Sequence, residues 1–144
     1  MREIKNIILH CSDSKFGDAA LIDRWHKKRG WQGIGYHYVI LNGRRIVNDY
    51  RDIDDGLIEN GRDIRDIGAH CKGQNRDSIG ICLIGRRHFT AKQLLIALPT
   101  FIAGLMFKYG IPASRIYGHY EFNDEKTCPN MDMKMVRAKL MNLI

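Results

Sequence analysis

The stretch Gly118-His119-Tyr120-Glu121-Phe122-Asn123-Asp124-Glu125-Lys126-Thr127-Cys128-Pro129 sets an imidazole and a thiol nine residues apart, with a lysine two before the thiol. It shows neither helical nor strand periodicity, and Asn-Asp and a closing Pro punctuate it. It is expected to be a loop, and loops held by a rigid scaffold often carry function. Imidazole and thiolate are good zinc ligands, and catalytic zinc takes three protein ligands plus a water. His119 and Cys128 offer two. A third ligand must come from elsewhere in the chain.

The elements that would position these groups follow from hydrophobic patterning. Ile4 to His10 is a strongly apolar run, expected as a buried strand ending at His10. A histidine at the end of a central strand sits where α/β proteins often place functional groups. Taken alone, it reads first as a hydrogen-bonded core histidine. Asp18 to Arg29 reads as an amphipathic helix with Asp18 as N-cap, Leu21, Ile22 and Trp25 on one face, and Gly30 as the stop. His26, beside Lys27, Lys28 and Arg29, is expected on the solvated side.

Gly35 to Leu41 is expected as a second strand, with Tyr36 and Tyr38 on one face and His37 on the other. Asn42-Gly43 signals a two-residue hairpin, with a return strand starting at Arg45 to Asn48. Residues 49–68 are polar and read as irregular, apart from a short strand at Leu57-Ile58-Glu59. Gly68-Ala69-His70-Cys71-Lys72-Gly73 reads as a loop over a groove. Asp77 to Gly85 is another apolar strand, in which Cys82 is expected to be a buried, inert thiol.

Thr90 and Gln93 form a capping box that opens a long helix to about Tyr109, stopped by Gly110, with a kink or break at Pro99. Ile111 to Ile116 leads to a short strand and then to the opening stretch. Met131 to Ile144 reads as a terminal helix with Met133, Val136, Leu140 and Leu143 on one face. Strands interleaved with helices give a central mixed β-sheet flanked by helices. The class is α/β (mixed α+β), in a single domain spanning residues 1–144.

Composition narrows the function classes. The chain of 144 residues is 44% hydrophobic and 27% charged, an ordinary balance for a globular protein. No stretch approaches the roughly 20 apolar residues of a membrane span, so no membrane insertion is expected. The charged N-terminus lacks the apolar core of a signal peptide, so synthesis in a cytoplasm is expected. Four cysteines without that leader point to reduced thiols or metal ligation rather than disulfides. A net charge of +7 points to a polyanionic partner, such as an anionic wall polymer. With no helix-turn-helix, zinc-finger spacing or aromatic RNA-binding signature, nucleic acid is not the expected partner.

Five pieces now stand in order: His10-Cys11-Ser12 after an apolar strand, Gly35-Tyr36-His37-Tyr38, Gly68-Ala69-His70-Cys71-Lys72-Gly73, Ser78-Ile79-Gly80-Ile81-Cys82, and His119 with Lys126-Thr127-Cys128-Pro129. Together they resemble zinc-dependent N-acetylmuramoyl-L-alanine amidases of the bacteriophage lysozyme type, relatives of the peptidoglycan recognition proteins. The resemblance runs from about Ile4 to Val136.

It implies zinc held by His10, His119 and Cys128, with Tyr36 as the cleft tyrosine and Lys126 as the catalytic lysine that stabilises an oxyanion. His70 would line the substrate groove. The implied reaction is hydrolysis of the amide joining the lactyl group of N-acetylmuramic acid to L-alanine in peptidoglycan. Such an endolysin would be made in the cytoplasm, reach the wall after release, and act as a monomer. The resemblance leaves two alternatives: a wall-binding module without catalysis, and a second role in inhibiting RNA polymerase.

The chain also departs from the pattern. The His119 to Cys128 interval is one residue longer, so the loop must bulge. Asn130 stands where relatives often carry glycine or serine, and residues 49–61 look inserted.

Overall fold

A computed structural model describes residues 2–143 of the chain. Five strands form one mixed sheet: β1 (Asn6–Cys11), β2 (Tyr38–Arg44), β3 (Tyr50–Asn60), β4 (Ser78–Leu83) and β5 (Ile116–Gly118), in spatial order β3-β2-β4-β1-β5. β1 runs parallel to both β4 and β5, β2 runs parallel to β4, and β3 is antiparallel to β2. The fold class is therefore the expected α/β arrangement of a mixed sheet with helices. Every residue of β1 and β4 is buried, as near-continuous apolar strands require when both faces are covered.

The two faces hold separate clusters. Ile7, Leu9, Ile79, Ile81 and Leu83 point to one face, with Leu98, Ile102, Leu105 and Met106 of α2 (Leu98–Tyr109) and Met133 and Leu140 of α3 (Met133–Met141). Val39, Leu41 and Cys82 point to the other, under Ile22 of α1 (Ala19–Lys28). Side chains alternate along a strand, so His10, next to Leu9, faces the α1 side. Cys82 is fully buried there, as expected of an inert thiol.

Helix ends follow their sequence signals. Asp18 accepts the Leu21 N–H at 2.9 Å and opens α1. The Thr90–Gln93 capping box forms in both directions, at 2.9 and 3.1 Å. The helix is not broken at Pro99, but it changes from π to α just before it. A wide π turn over Lys92–Ala97 precedes α2, and Pro99 falls in the first turn of the α segment, where its missing N–H costs nothing. Gly110 ends α2 in the left-handed region at φ 66°. The terminal helix is shorter than expected. Leu143 lies beyond it and is exposed, and Ile144 falls outside the described residues.

Four other expectations need correction. Asn42-Gly43 is not the hairpin turn. β2 continues through it to Arg44, the chain turns over residues 45–49, and Tyr50 to Asn60, expected to be irregular apart from a short strand at Leu57-Ile58-Glu59, forms an 11-residue strand. Asn42 Oδ1 accepts the Arg44 N–H, and Gly43 sits at φ +89° under the Tyr50 ring, where a Cβ would come within 2.5 Å. The Asn-Gly pair serves as an irregularity within the ladder. Tyr36 precedes β2 and is not part of a strand. His26 is buried at 5% exposure, not solvated: it lies four residues after Ile22, on the same helix face. Among the described residues, no helix is long and apolar enough to cross a membrane.

Candidate active site

The sheet brings the two separated histidines together by register. β1 and β5 run parallel, with Leu9 opposite Gly118, so the next residue on each is a histidine. His10 and His119 leave the same carboxyl edge with ring centroids 4.6 Å apart. This is the edge at which parallel α/β sheets present functional groups.

Cys128 returns to that edge through the loop. The Tyr120 N–H donates to the Cys128 carbonyl at 2.9 Å, which pins the loop's end against its start. The Cys11 N–H donates to Cys128 Sγ at 2.9 Å. One potential ligand atom from each of His10, His119 and Cys128 lies within 4.8 Å of the others. The longer interval therefore does not prevent convergence. Glu121 accepts the Gly118 N–H and pairs with Arg137 of α3 at 2.8 and 3.1 Å, which ties the His119 turn to the helix behind it. Asn130 adopts φ 60°, a left-handed position that asparagine tolerates better than most residues. Its amide donates to the Arg86 carbonyl at 2.6 Å.

A cleft of about 400 Å³ lies over the cluster, lined by His119 and Cys128 together with Tyr36, His70, His26 and Lys126. A larger cavity of about 860 Å³ opens beside it and shares Asp13, Thr127 and Asn130. Lys15, Arg44, Arg86 and Arg87 line that second cavity. The Tyr36 ring lies 5.0 Å from the His10 ring and 5.5 Å from that of His26. His70 is buried at 8% exposure, and its Nδ1 lies 2.8 Å from His10 Nε2.

Electrostatics keep the imidazoles neutral. Burial, then the neighbouring His70 and His119, holds His10 well below the ordinary histidine range. Burial lowers His119 as well, and the positive charge of Lys126 adds to that. His70 falls to about 3, chiefly through burial. Neutral imidazole is the form that binds a metal. Contact with Cys11, then burial, holds the Cys128 thiol up. Burial also raises the Tyr36 phenol well above its usual value.

His26 was not expected at the site. Its Nδ1 accepts the Gly35 N–H at 3.0 Å and so positions the residue before Tyr36. The signal was its place on the apolar face of α1. Cys11 is a further neighbour of the cluster, foreshadowed only by its place after His10.

Fold and cluster together define an α/β protein with a candidate metal centre at the carboxyl edge of its sheet. The chain belongs to the N-acetylmuramoyl-L-alanine amidase family, whose sequence profile matches residues 1–131. It is 33% identical to the endolysin of Escherichia phage T7 over 139 residues, covering 89% of this chain and 82% of that protein. The solved N-acetylmuramoyl-L-alanine amidase LysC from Clostridium intestinale URNW superposes with a TM-score of 0.81 at 28% identity, covering 97% of this chain and 87% of that one. A Drosophila peptidoglycan-recognition protein LB variant, solved in complex with tracheal cytotoxin, superposes at 0.68 with 30% identity, covering 90% and 76%.

Proposed function

We propose that this chain is an endolysin that hydrolyses the amide between the lactyl group of N-acetylmuramic acid and L-alanine in peptidoglycan, with zinc held by His10, His119 and Cys128. Family membership and likeness to phage endolysins and solved amidases support the reaction. The observation that carries the site is the convergence of two imidazoles and a thiol within 4.8 Å beside a cleft.

The donor set fits zinc. Two nitrogens and one sulfur suit a borderline-soft ion, which His10, His119 and Cys128 would hold. Two neutral imidazoles and one thiolate would leave the centre at a net charge of about +1. When bound, zinc supplies Lewis acidity that activates water and polarises the carbonyl.

The chain's own groups do the rest. Lys126 stands on the cleft wall near His119, where its ammonium would stabilise the oxyanion formed as water adds to the carbonyl carbon. Tyr36, kept as a neutral phenol by burial, would donate a hydrogen bond and assist protonation of the alanine nitrogen as the C–N bond breaks. His26 holds the Gly35 backbone and so sets the approach of Tyr36. The basic residues of the adjoining cavity fit the +7 chain's attraction to an anionic wall. We infer a single domain over residues 1–144 that acts as a monomer.

Zinc content and muropeptide products of wild type and Cys128→Ser test this reading. About one zinc per chain and release of lactyl-linked peptide, both lost in Cys128→Ser, are expected. Wall binding without metal or product would instead make the chain a recognition module.

A further inference from the structure

We propose that His70 and Ser78 form a hydrogen-bond relay that fixes the tautomer of His10, leaving Nδ1 as its bare nitrogen for the metal. His70, which also lines the cleft, is then a positioning residue.

The proton placement follows from the far end of the relay inward. A serine hydroxyl has one proton to give. Ser78 Oγ lies 2.6 Å from the Gln74 carbonyl, which can only accept, so the hydroxyl proton goes there. Ser78 Oγ must then accept from His70 Nε2, 3.1 Å away. A neutral imidazole carries one N–H, so His70 Nδ1 is bare and accepts. Its partner at 2.8 Å is His10 Nε2, which must donate. The remaining nitrogen of His10 is Nδ1, whose lone pair takes no hydrogen bond among the described residues. Both rings are buried, at 1% and 8% exposure, an environment that disfavours a charged imidazolium.

The slot around His70 is built for that ring. A Cβ on Gly80 would come within 2.5 Å of His70 Cγ, so only glycine at that point of β4 leaves room for the imidazole. Asn75 Oδ1 accepts the backbone N–H groups of both His70 and Cys71 at 2.9 Å, which holds the loop at the correct height. Ser78 and Gly80 sit two apart on β4, on the same face as Cys82, which pairs with His10 in the ladder. One strand therefore supplies the relay's acceptor, the space for its middle ring, and the neighbour of its final ring. A ligating histidine whose second nitrogen is held in this way is oriented before metal arrives, and loss of such a partner typically weakens binding 10–100-fold.

The inference rests on His10 being a metal ligand, and its test separates the two claims. In metal-free protein, long-range ¹H–¹⁵N correlation of the imidazoles should show Nε2–H and bare Nδ1 in both His10 and His70. An Nδ1–H form of His10 would overturn the relay. Zinc affinity, measured by competition with a chromogenic chelator, should fall about 10–100-fold in His70→Leu. It should recover in His70→Asn, whose Oδ1 replaces the Nδ1 acceptor. Ser78→Ala should mix the tautomers of His70 and weaken zinc by a smaller factor. Urea unfolding of the metal-free variants reports any general damage. Reduced stability with zinc affinity unchanged in His70→Leu would make His70 merely structural and overturn the relay, leaving the metal reading intact. Wild type that binds no zinc would overturn both.

Discussion

The Cys11 N–H donates to Cys128 Sγ at 2.9 Å, so the sulfur proposed as a metal ligand is held by the backbone of the strand that carries His10. The donor is a main-chain group, and the Cys11 side chain is not needed to make the bond. Cys11→Ala should therefore retain about one zinc per chain, and activity within a few-fold, while losing roughly 1 kcal/mol of stability from a small buried group. Zinc analysis and urea unfolding read both effects. Loss of metal in Cys11→Ala would show that both thiols belong to the centre.

Lys126 and Tyr36 should fail differently from the ligands. Lys126→Met should keep zinc and lower kcat about 10²–10³-fold, the usual cost of removing an oxyanion donor. Tyr36→Phe should also keep zinc, since neither residue belongs to the converging donor set. Steady-state kinetics on a soluble muropeptide, with zinc analysis of each variant, checks this. A raised KM with unchanged kcat in Lys126→Met would place the lysine in substrate binding only.

The strands that carry His10 and His119 were legible because long apolar runs and punctuating loops survive in a single sequence. The convergence of His10, His119 and Cys128 came from resemblance, since no local pattern encodes the β1–β5 register. The hairpin was misplaced because Asn42-Gly43 has turn chemistry wherever it falls, and here cross-strand pairing absorbed it as an irregularity. Tyr50 to Asn60 looked irregular because an edge strand is free to be polar on its exposed side. His26 was misread because three following cations outweighed its helical register with Ile22. The His70 relay was illegible, because it depends on atoms from β1, β4 and a loop meeting in space.

Acid should destabilise the fold through His26 and His37, both buried and both lowered to about 4, chiefly by burial. Each acts as an acceptor through Nδ1, His26 from the Gly35 N–H and His37 from the Gly80 N–H. In the unfolded chain they titrate near 6.5. Between about pH 6.5 and 4 the unfolded state therefore binds more protons, and stability falls as pH falls. Above 6.5 the contribution is fully present. The loss between pH 7 and 5 should be about 1–2 kcal/mol for each histidine. Urea midpoints at the two pH values measure it, and His37→Gln should be weaker at pH 7 but show a flatter pH dependence. An unchanged slope would mean that His37 does not titrate with folding.

Gln93 should prove a larger stability determinant than a helix-capping residue alone. Besides closing the capping box, its fully buried amide donates to the Ile40 and Ile84 carbonyls, both at 3.0 Å. It ties the body of β2 to the residue that follows β4, ahead of α2. Removing it leaves the Ile84 carbonyl without this donor, at about 1–3 kcal/mol on top of the lost cap, while the Ile40 carbonyl still accepts the Ile84 N–H at 3.0 Å. Gln93→Leu should therefore cost several kcal/mol, against about 1 kcal/mol for a lost cap alone. Gln93→Glu should cost at least as much near neutral pH, because a carboxylate cannot donate to either carbonyl. A loss near 1 kcal/mol in both variants would show that the strand ends close without the amide.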